Sequence, residues 1–398
     1  MKNVVVIGQG YVGLNIAIHA SAKNDVIGFD LNSSLVSELS LGKSHVEDIS
    51  EEVLDRALKS SRFKATSNID EISSADIYVI AVPTPLNEKR EPDISFVQKA
   101  AEIIGEVAIK PSLIINESTS YPGTLRNVIK KIVESKSKTA HFFAASPERV
   151  DPGRKDYSQK NTPRLIGGID DDSQARAKEF YSTFCDVIIE VSSPEIAETA
   201  KLFENTFRQV NIALVNEFAQ ITHALNLSVR EVLDAANTKP YGFMKFEPSA
   251  GVGGHCIPVD PGYLSYIAEK NGVSAKFIDL ANKVNLDMGQ YIVNRVKKDC
   301  TNLNGKTVQI IGVAYKKNIA DVRETPANQI YDSLKAEGAI VIWHDPLVQN
   351  WKNSSSSKLG SDIAIVVTKH DVIDSSEIMK SAQYVFDSTG SVAGAVQL

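Results

Sequence analysis

The sequence predicts an α/β protein with a doubly wound parallel sheet near each end and a long helix between them. Short apolar runs alternate with helical stretches up to about residue 190 and again from about residue 300, as expected of parallel strands buried on both faces. Between them, residues 196–225 contain no Pro or Gly and repeat apolar residues at helical spacing. About 30 such residues predict a helix roughly 45 Å long. The predicted regions are 1–192, 193–298 and 299–398.

Composition excludes several classes of protein. The 398 residues are 43% hydrophobic and 23% charged, with a net charge of −6 and no basic patch, so we expect no nucleic-acid partner. The three cysteines are too few for a disulfide framework and lack metal-ligand spacing, so no metal is expected. The apolar run at residues 4–7 is too short for a signal peptide, and nothing approaches the length of a membrane span. We therefore expect a cytoplasmic protein with reduced thiols and no membrane partner.

The first strand, residues 4–7, leads into a glycine motif with Gly8, Gly10 and Gly13, and a helix follows. The next strand, residues 26–29, ends in Asp30. Glycines at these positions allow a tight turn and the approach of a pyrophosphate to the helix N-terminus, and the acidic residue accepts hydrogen bonds from a ribose. A tight turn that binds nothing is the alternative. In this context the motif predicts dinucleotide binding, with NAD favoured over NADP because Asp30 repels a 2′-phosphate.

Polar residues follow three further predicted strands, at residues 77–82, 113–116 and 142–145. Each segment taken alone reads as an ordinary turn, but ligands bind at the carboxyl ends of such strands, so together they predict a cofactor and substrate rim. The segments are Pro83 and Thr84, residues 116–119, and residues 146–149.

The long helix carries Lys201 and Asn205 four residues apart, hence on one face. Taken alone, they read as an exposed polar stripe. Shorter helices are predicted at residues 229–236, 263–269 and 277–298, with a Gly- and Pro-rich loop at 239–262.

That loop holds Cys256, preceded by His255 and followed four residues later by Asp260. Glycines before the cysteine let the backbone approach a ligand, and the neighbours supply acid and base groups, so Cys256 is a candidate nucleophile. Cys185 and Cys300 read as incidental thiols.

The third region repeats the strand pattern at residues 307–313, 340–343, 363–367 and 384–386. A charged segment, residues 315–326, follows the first of these strands, and its cations could neutralise a diphosphate. The alternative is a solvated charged loop. Residues 354–357 read as a polar surface loop without chemistry.

Together these motifs resemble the UDP-glucose/GDP-mannose dehydrogenase family, and more closely its branch that acts on UDP-N-acetylhexosamines. The resemblance implies two Rossmann-like domains joined by the long central helix, and a homodimer formed through that helix. The matching segments are residues 8–13 with Asp30, 82–85, 90–93, 117–124, 146–153, 201–217, 237–261 and 314–326.

The resemblance also implies an NAD-dependent, four-electron oxidation of a sugar C6 alcohol to a carboxylate, for surface polysaccharide precursors. Cys256 would carry the sugar as a thiohemiacetal and then as a thioester. Lys201 would stabilise the oxyanion, and Asn205 would position the sugar or a water. Asp260 and Thr119 would orient water, and Glu148 would serve thioester hydrolysis.

The implied cofactor contacts are Gly8, Gly10, Tyr11, Val12, Gly13, Asp30, Pro83, Thr84, Thr119, Glu148 and Arg323. The implied substrate contacts are Glu148, Arg149, Val150, Lys201, Asn205, Lys239, Gly253, Tyr315 and Lys317.

The sugar is the least determined part of this hypothesis. His255 and residues 205–208 and 237–240 resemble the N-acetylhexosamine branch, whereas residues 120–124 and 148–153 resemble the UDP-GlcNAc 6-dehydrogenases more than the UDP-ManNAc ones. Residues 346–361 form a shorter stretch than the resemblance leads us to expect. Because this stretch could contact the substrate, the identity of the sugar stays open. The alternatives are a UDP-glucose 6-dehydrogenase, a two-electron hydroxyacid dehydrogenase, and a sensor that binds nucleotides without turnover.

Overall fold

The computed structural model describes residues 1–46, 48–151 and 156–398. It divides into two compact units, Met1–Phe203 and Glu204–Leu398. The boundary between them falls inside one long helix, and each unit is described below by itself.

The first unit is built on a sheet of eight strands among the described residues, in the order β3-β2-β1-β4-β5-β6-β7-β8. Its strands are β1 Asn3–Ile7, β2 Asp25–Phe29, β3 Phe63–Thr66, β4 Ile77–Ile80, β5 Leu113–Asn116, β6 Phe142–Ala145, β7 Arg164–Gly168 and β8 Ile188–Glu190. Strands β1 to β6 run parallel, whereas β6 pairs with β7 antiparallel. The parallel sheet is therefore confirmed, with a reversal at one edge that the apolar pattern did not predict.

Burial on both faces explains the apolar strand sequences. Each residue of β4 and β5 is buried, and Val4 to Ile7 of β1 are at most 4% exposed. Side chains cap several helices, as at Ser50, whose hydroxyl accepts the N–H of Val53. The helices of this unit before the long one are α1 Tyr11–Ala20, α2 Ser33–Ser40, α3 Glu51–Lys59, α4 Ser95–Val107, α5 Lys130–Lys136 and α6 Asp171–Tyr181.

The long helix α7 spans Pro194–Ala224, 31 residues, two residues earlier at its start than the sequence pattern predicts. Pro194 occupies its first turn, where the missing N–H costs nothing. The long central helix is confirmed.

The second unit contains helices and a smaller sheet in the order β10-β9-β13-β14-β15, parallel throughout. Its helices after α7 are α8 Val229–Asn237, α9 Asp260–Lys270, α10 Lys276–Cys300, α11 Ala327–Ala336 and α12 Ser375–Ser381. Its strands are β9 Thr307–Ile311, β10 Ile340–His344, β11 Asn350–Trp351, β12 Ser354–Ser355, β13 Ser361–Val366, β14 Ala382–Asp387 and β15 Val396–Gln397.

The prediction of a polar surface loop at residues 354–357 was wrong in part. Here β11 and β12 form a small antiparallel hairpin. The indole N–H of buried Trp343 donates to the Ser354 hydroxyl at 2.8 Å, and the Ser357 N–H and hydroxyl donate to the Trp343 carbonyl. The serines therefore satisfy buried polar groups.

Within the described ranges, no helix combines the length and the apolar character that crossing a bilayer requires.

Candidate active site

The glycine motif of the first unit forms a turn too tight for side chains at two of its positions. Gly8 has φ +91°, and a Cβ there would lie 2.5 Å from the Ala81 carbonyl oxygen. A Cβ on Gly13 would lie 1.8 Å from the Gly8 oxygen. These two glycines therefore let β1, β4 and α1 pack closely.

Gly10 differs, because a Cβ built on it meets nothing within 4 Å. It is the N-cap of α1, and among the described residues no side chain caps that helix end. Tyr11 and Val12 begin the helix, and the first N–H groups of α1, which have no acceptor within the helix, follow directly after Gly10. Asp30 lies alongside, accepting the Gln9 N–H at 2.8 Å and the Asn32 N–H at 2.9 Å. Open space, free helix N–H groups and an adjacent carboxylate fit a dinucleotide.

The rim that the sequence predicts is assembled by hydrogen bonds between neighbouring strand ends. The Ser118 hydroxyl bridges to Val82, accepting its N–H and donating to its carbonyl, each at 2.8 Å. This bond fixes the turn that carries Pro83 and Thr84 against the segment that carries Thr119. Thr84 is buried and Thr119 half-buried.

Glu148 lies after β6 at the same edge, and four donors hold its carboxylate. Oε1 accepts the N–H groups of Arg149 and Val150, each at 2.6 Å. Oε2 accepts from the Arg164 guanidinium at 3.1 Å and from the Gln159 amide. Burial works to raise the pKa of Glu148, but Arg164, these hydrogen bonds and the charge of Lys201 offset it, and the net pKa is lowered. Glu148 is therefore an ionised, oriented carboxylate.

A second buried carboxylate shares the same arginine. Arg164 Nη1 donates to both oxygens of Glu117 at 2.6 and 2.7 Å, and the Tyr181 hydroxyl donates to Glu117 as well. Burial raises the pKa of Glu117 to about 7, against the opposing effect of Arg164. Neither Arg164 nor its neighbours Gln159 and Tyr181 stand out in the sequence. Arg164 is a single charge in the apolar β7 segment, 47 residues from Glu117, and carries no local signal.

Lys201 is 9% exposed on α7 within the first unit, and its charge acts on Glu148. One turn earlier, Glu198 is 1% exposed and accepts the N–H groups of Gly123 and Leu125 at 2.7 and 3.0 Å and the Ser120 hydroxyl at 3.2 Å. These bonds attach α7 to the turn that follows Thr119. The structure therefore brings Lys201, Glu148 and the Thr119 segment to one edge of the first unit.

In the second unit, Cys256 lies in a half-buried loop just before α9. Its carbonyl accepts the N–H groups of Val259 and Asp260 at 3.2 and 2.8 Å, which directs the chain into the helix. Asp260 is fully buried, and the Asn205 amide donates to its Oδ2 at 2.5 Å. The structure thus joins two predicted site residues, Asn205 and Asp260, beside the cysteine loop.

The charged segment after β9 packs against the same loop. A Cβ on Gly253 or Gly254 would lie 2.6 or 2.8 Å from the Tyr315 side chain. The Gly254 N–H donates to the Arg323 carbonyl at 2.9 Å, and the Arg323 guanidinium pairs with Asp321 at 2.5 Å. Tyr315 and Arg323 therefore contact the two glycines that come just before the candidate nucleophile.

Other predicted residues lie elsewhere in their units. Lys317 is exposed and pairs with Asp371 at 2.6 Å. Lys239 follows α8 with its Nζ 5.0 Å from the Tyr241 ring centroid. Pro152 and Gly153 of the predicted motif at residues 148–153 lie outside the described residues.

The remaining cysteines differ from Cys256 in their surroundings. Burial raises the pKa of the Cys185 thiol to about 11 and also raises that of Cys300. Across the described residues, no group of three or more His, Cys, Asp or Glu side chains is arranged to hold a metal.

Comparison with known proteins finds relatives for both units. Sequence models of the UDP-glucose/GDP-mannose dehydrogenase family match residues 2–185 as its NAD binding domain, 195–287 as its central domain and 309–393 as its UDP binding domain. The chain is 37% identical over 379 residues to the UDP-N-acetyl-D-mannosamine dehydrogenase of Methanocaldococcus jannaschii, covering 93% of this chain and 86% of that protein.

Two further relatives carry other substrate names. The UDP-N-acetyl-D-glucosamine 6-dehydrogenase of Pseudomonas aeruginosa is 34% identical over 87% of this chain and 83% of its own length. The solved structure of a UDP-glucose dehydrogenase from Pyrobaculum islandicum superposes with a TM-score of 0.92 at 25% identity, covering 100% of this chain and 96% of that one. With the glycine motif, the rim and the cysteine loop in place, the chain belongs to the UDP-glucose/GDP-mannose dehydrogenase family and is an NAD-dependent nucleotide-sugar dehydrogenase.

Proposed function

We propose that this protein oxidises the C6 alcohol of a UDP-N-acetylhexosamine to the carboxylate, with UDP-GlcNAc as the first candidate sugar and UDP-ManNAc as the second. The observation that carries the proposal is the surroundings of Cys256: a half-buried thiol in a loop that packs against Tyr315, four residues before Asp260, which is hydrogen-bonded to Asn205. An alcohol dehydrogenase that stops at the aldehyde has no need of a nucleophilic cysteine.

The cofactor contacts follow from the first unit. The N–H groups at the start of α1 would hold the pyrophosphate beside Gly10, and Asp30 would accept the ribose hydroxyls. NAD⁺ would supply the hydride acceptor there for each of the two oxidations, and in the first of them the proton of the C6 hydroxyl would leave to solvent.

Between the two oxidations, the protein must retain the aldehyde. Attack of the Cys256 thiolate on the aldehyde carbon forms a C–S bond and an oxyanion, which a proton converts to the thiohemiacetal. Loss of the hydroxyl proton to solvent and of a hydride from that carbon, for which a second NAD⁺ would be the acceptor, then gives the thioester. Water then adds to the thioester carbonyl, the C–S bond breaks, and the carboxylate and the thiol are released.

The charged side chains have distinct parts in this scheme. Lys201 supplies a buried positive charge for the oxyanion. Asn205 and Asp260, already hydrogen-bonded to each other, would orient the attacking water together with Thr119. Glu148, held ionised by four donors, would act on hydrolysis through its charge and its position.

Regions 1–192, 193–298 and 299–398 would then supply the cofactor site, the nucleophile loop and the UDP contacts. Tyr315 and Lys317 would contact the nucleotide-sugar, and Lys239 a diphosphate in the neighbouring subunit. A reduced thiol fits a cytoplasmic location, and carboxylated amino sugars fit surface polysaccharide synthesis.

We further propose a homodimer formed through α7. Three of its apolar residues are between 44% and 61% exposed and recur every seven residues, so they line one face of the helix: Phe207, Leu214 and Ile221. A face of this kind fits a second helix of the same type.

The test is a panel of UDP-GlcNAc, UDP-ManNAc and UDP-glucose with NAD⁺, measuring NADH and uronate separately. The proposal predicts highest kcat/KM with an N-acetylhexosamine and two NADH for each sugar consumed. One NADH per sugar with an accumulating aldehyde would refute the double oxidation, and a clear preference for UDP-glucose would assign the alternative substrate.

A further inference from the structure

His370 in the second unit is fully buried and plays no part in the reaction scheme above. It follows β13, near the carboxyl ends of the parallel strands. Its Nδ1 lies 2.8 Å from the backbone nitrogen of Asn318, and its Nε2 lies 3.0 Å from Oδ2 of Asp345. Both ring nitrogens are therefore engaged.

The chemistry of these partners fixes the form of the ring. A backbone N–H can only donate, so Nδ1 must accept and carries no proton. The proton of the neutral ring is then on Nε2, from which it donates to the Asp345 carboxylate. Asp345 is itself held by backbone donors, with Oδ2 accepting the N–H groups of Val313 and Ala314 and Oδ1 those of Leu347 and Val348. It is a rigid partner that selects one tautomer.

The bond to Asn318 holds the middle of the charged segment. Asn318 has φ +63°, in the left-handed region that asparagine adopts more readily than most residues other than glycine, and its N–H points to His370. Its side chain is also paired with Asp371, donating to Oδ2 at 2.7 Å and accepting the Asp371 N–H at 2.9 Å. That contact is exposed, whereas the contact with the buried His370 ring is partly shielded from solvent.

The bond between His370 and Asn318 matters because the charged segment carries residues that we assign to the nucleotide-sugar. Tyr315 packs on Gly253 and Gly254, Lys317 follows two residues later, and the Arg323 carbonyl accepts the Gly254 N–H. A shift at Asn318 would thus move the UDP contacts and the start of the Cys256 loop together.

We infer that His370 is a positioning residue for the nucleotide-sugar: as the Nε2–H tautomer selected by Asp345, it accepts the Asn318 N–H and holds residues 315–323 in the binding arrangement. This inference rests on the proposed function in one respect only, the assignment of that segment to the UDP-sugar.

Two substitutions of His370 test the roles of its two ring nitrogens separately. In His370→Asn, the amide oxygen replaces the accepting Nδ1, whereas in His370→Gln, the longer amide replaces the donating Nε2 and leaves Asn318 without its acceptor. The inference predicts that His370→Gln raises the dissociation constant of UDP and the KM for the UDP-sugar by about five- to tenfold, the effect of one neutral hydrogen bond. His370→Asn should stay within about twofold, and the KM for NAD⁺ should change in neither variant. Equal behaviour of the two variants, or a parallel rise in the KM for NAD⁺, would overturn the inference.

A measurement on the wild-type full chain keeps the test independent of how the variants fold. Nitrogen-15 NMR of the imidazoles should show His370 as the Nε2–H tautomer. His344 is the matched control in the same sheet, because its Nδ1 lies 2.7 Å from the Ser357 carbonyl, which can only accept, and it should show the opposite tautomer. An Nδ1–H signal for His370, or a wild-type protein that does not bind UDP, would overturn the inference. UDP binding without oxidation of any UDP-sugar would instead refute the proposed function and leave the inference standing.

Discussion

Gly10 and Gly13 belong to one motif but differ in the space that a side chain would meet. Gly13→Ala places a methyl group 1.8 Å from the Gly8 oxygen, so we expect it to lower the free energy of unfolding by about 2 kcal/mol or more. Gly10→Ala meets nothing within 4 Å and should change that free energy by less than about 1 kcal/mol. Its methyl group would instead occupy the approach of the pyrophosphate and weaken NAD⁺ binding about tenfold.

Urea denaturation and NAD⁺ titration of both variants measure this contrast. Unaltered NAD⁺ affinity in a folded Gly10→Ala protein would contradict the placement of the pyrophosphate beside α1.

Residues that act through a local motif were predictable from the sequence, and residues that act through a distant partner were not. Gly8, Gly10, Gly13 and Asp30 lie within a single strand-helix-strand unit, so their spacing carries the signal. Arg164 acquires its role only when β7 pairs with β6 and brings its guanidinium between Glu117 and Glu148. The same holds for His370, whose partners lie 25 and 52 residues away.

At the scale of elements, Glu198 attaches α7 to the turn after β5, and this attachment should depend on pH. Burial raises the pKa of Glu198 from 4.5 to about 7, against the opposing N–H bonds from Leu125 and Gly123. Because the folded state binds this proton more tightly than the unfolded chain, the contribution of Glu198 is fully present below about pH 4.5 and is lost as pH rises through about 7. The loss is at most about 3 kcal/mol.

Urea denaturation at pH 5 and pH 8 tests this behaviour by comparison with Glu198→Gln, which does not titrate and should lose less stability over the same interval. Glu195→Gln is the control on the same helix, since the hydrogen bond from Arg126 lowers the pKa of Glu195, which therefore stays ionised between pH 5 and pH 8 and adds no pH dependence there. An equal loss in wild type and Glu198→Gln would contradict the assignment.

Helices and strands were predictable where apolar residues repeat at one regular spacing over many residues. They were not predictable where pairing with a distant strand determines whether a segment forms a strand and in which direction it runs. The run of residues without Pro or Gly identified α7 to within two residues at its start. Strand β3, Phe63–Thr66, is short and includes an exposed lysine, so it lacks the apolar signal and exists because it pairs with β2. The antiparallel direction of β7 depends on the connection from β6, which no local pattern encodes.

At the scale of the whole molecule, the exposed face of α7 predicts self-association. A glutamate on this face would place a charge in an apolar interface, so Leu214→Glu and Ile221→Glu should shift the protein from dimer to monomer. Sedimentation velocity at micromolar concentration measures the change. Val372→Glu, at an apolar residue that is 70% exposed elsewhere in the second unit, is the control and should leave the dimer intact. A monomeric wild type would refute the proposed interface.

The covalent role of Cys256 is the central claim, and it is tested most directly by the rate of uronate formation in Cys256→Ser. The substitution changes one atom, so binding of NAD⁺ and sugar should persist. Because a serine hydroxyl is barely ionised at neutral pH, uronate formation should fall by about a thousandfold or more. Cys185→Ser and Cys300→Ser, at thiols whose pKa is raised by burial, should keep most of the activity. Uronate formation near the wild-type rate in Cys256→Ser would contradict the covalent route and, with it, the double oxidation in one site.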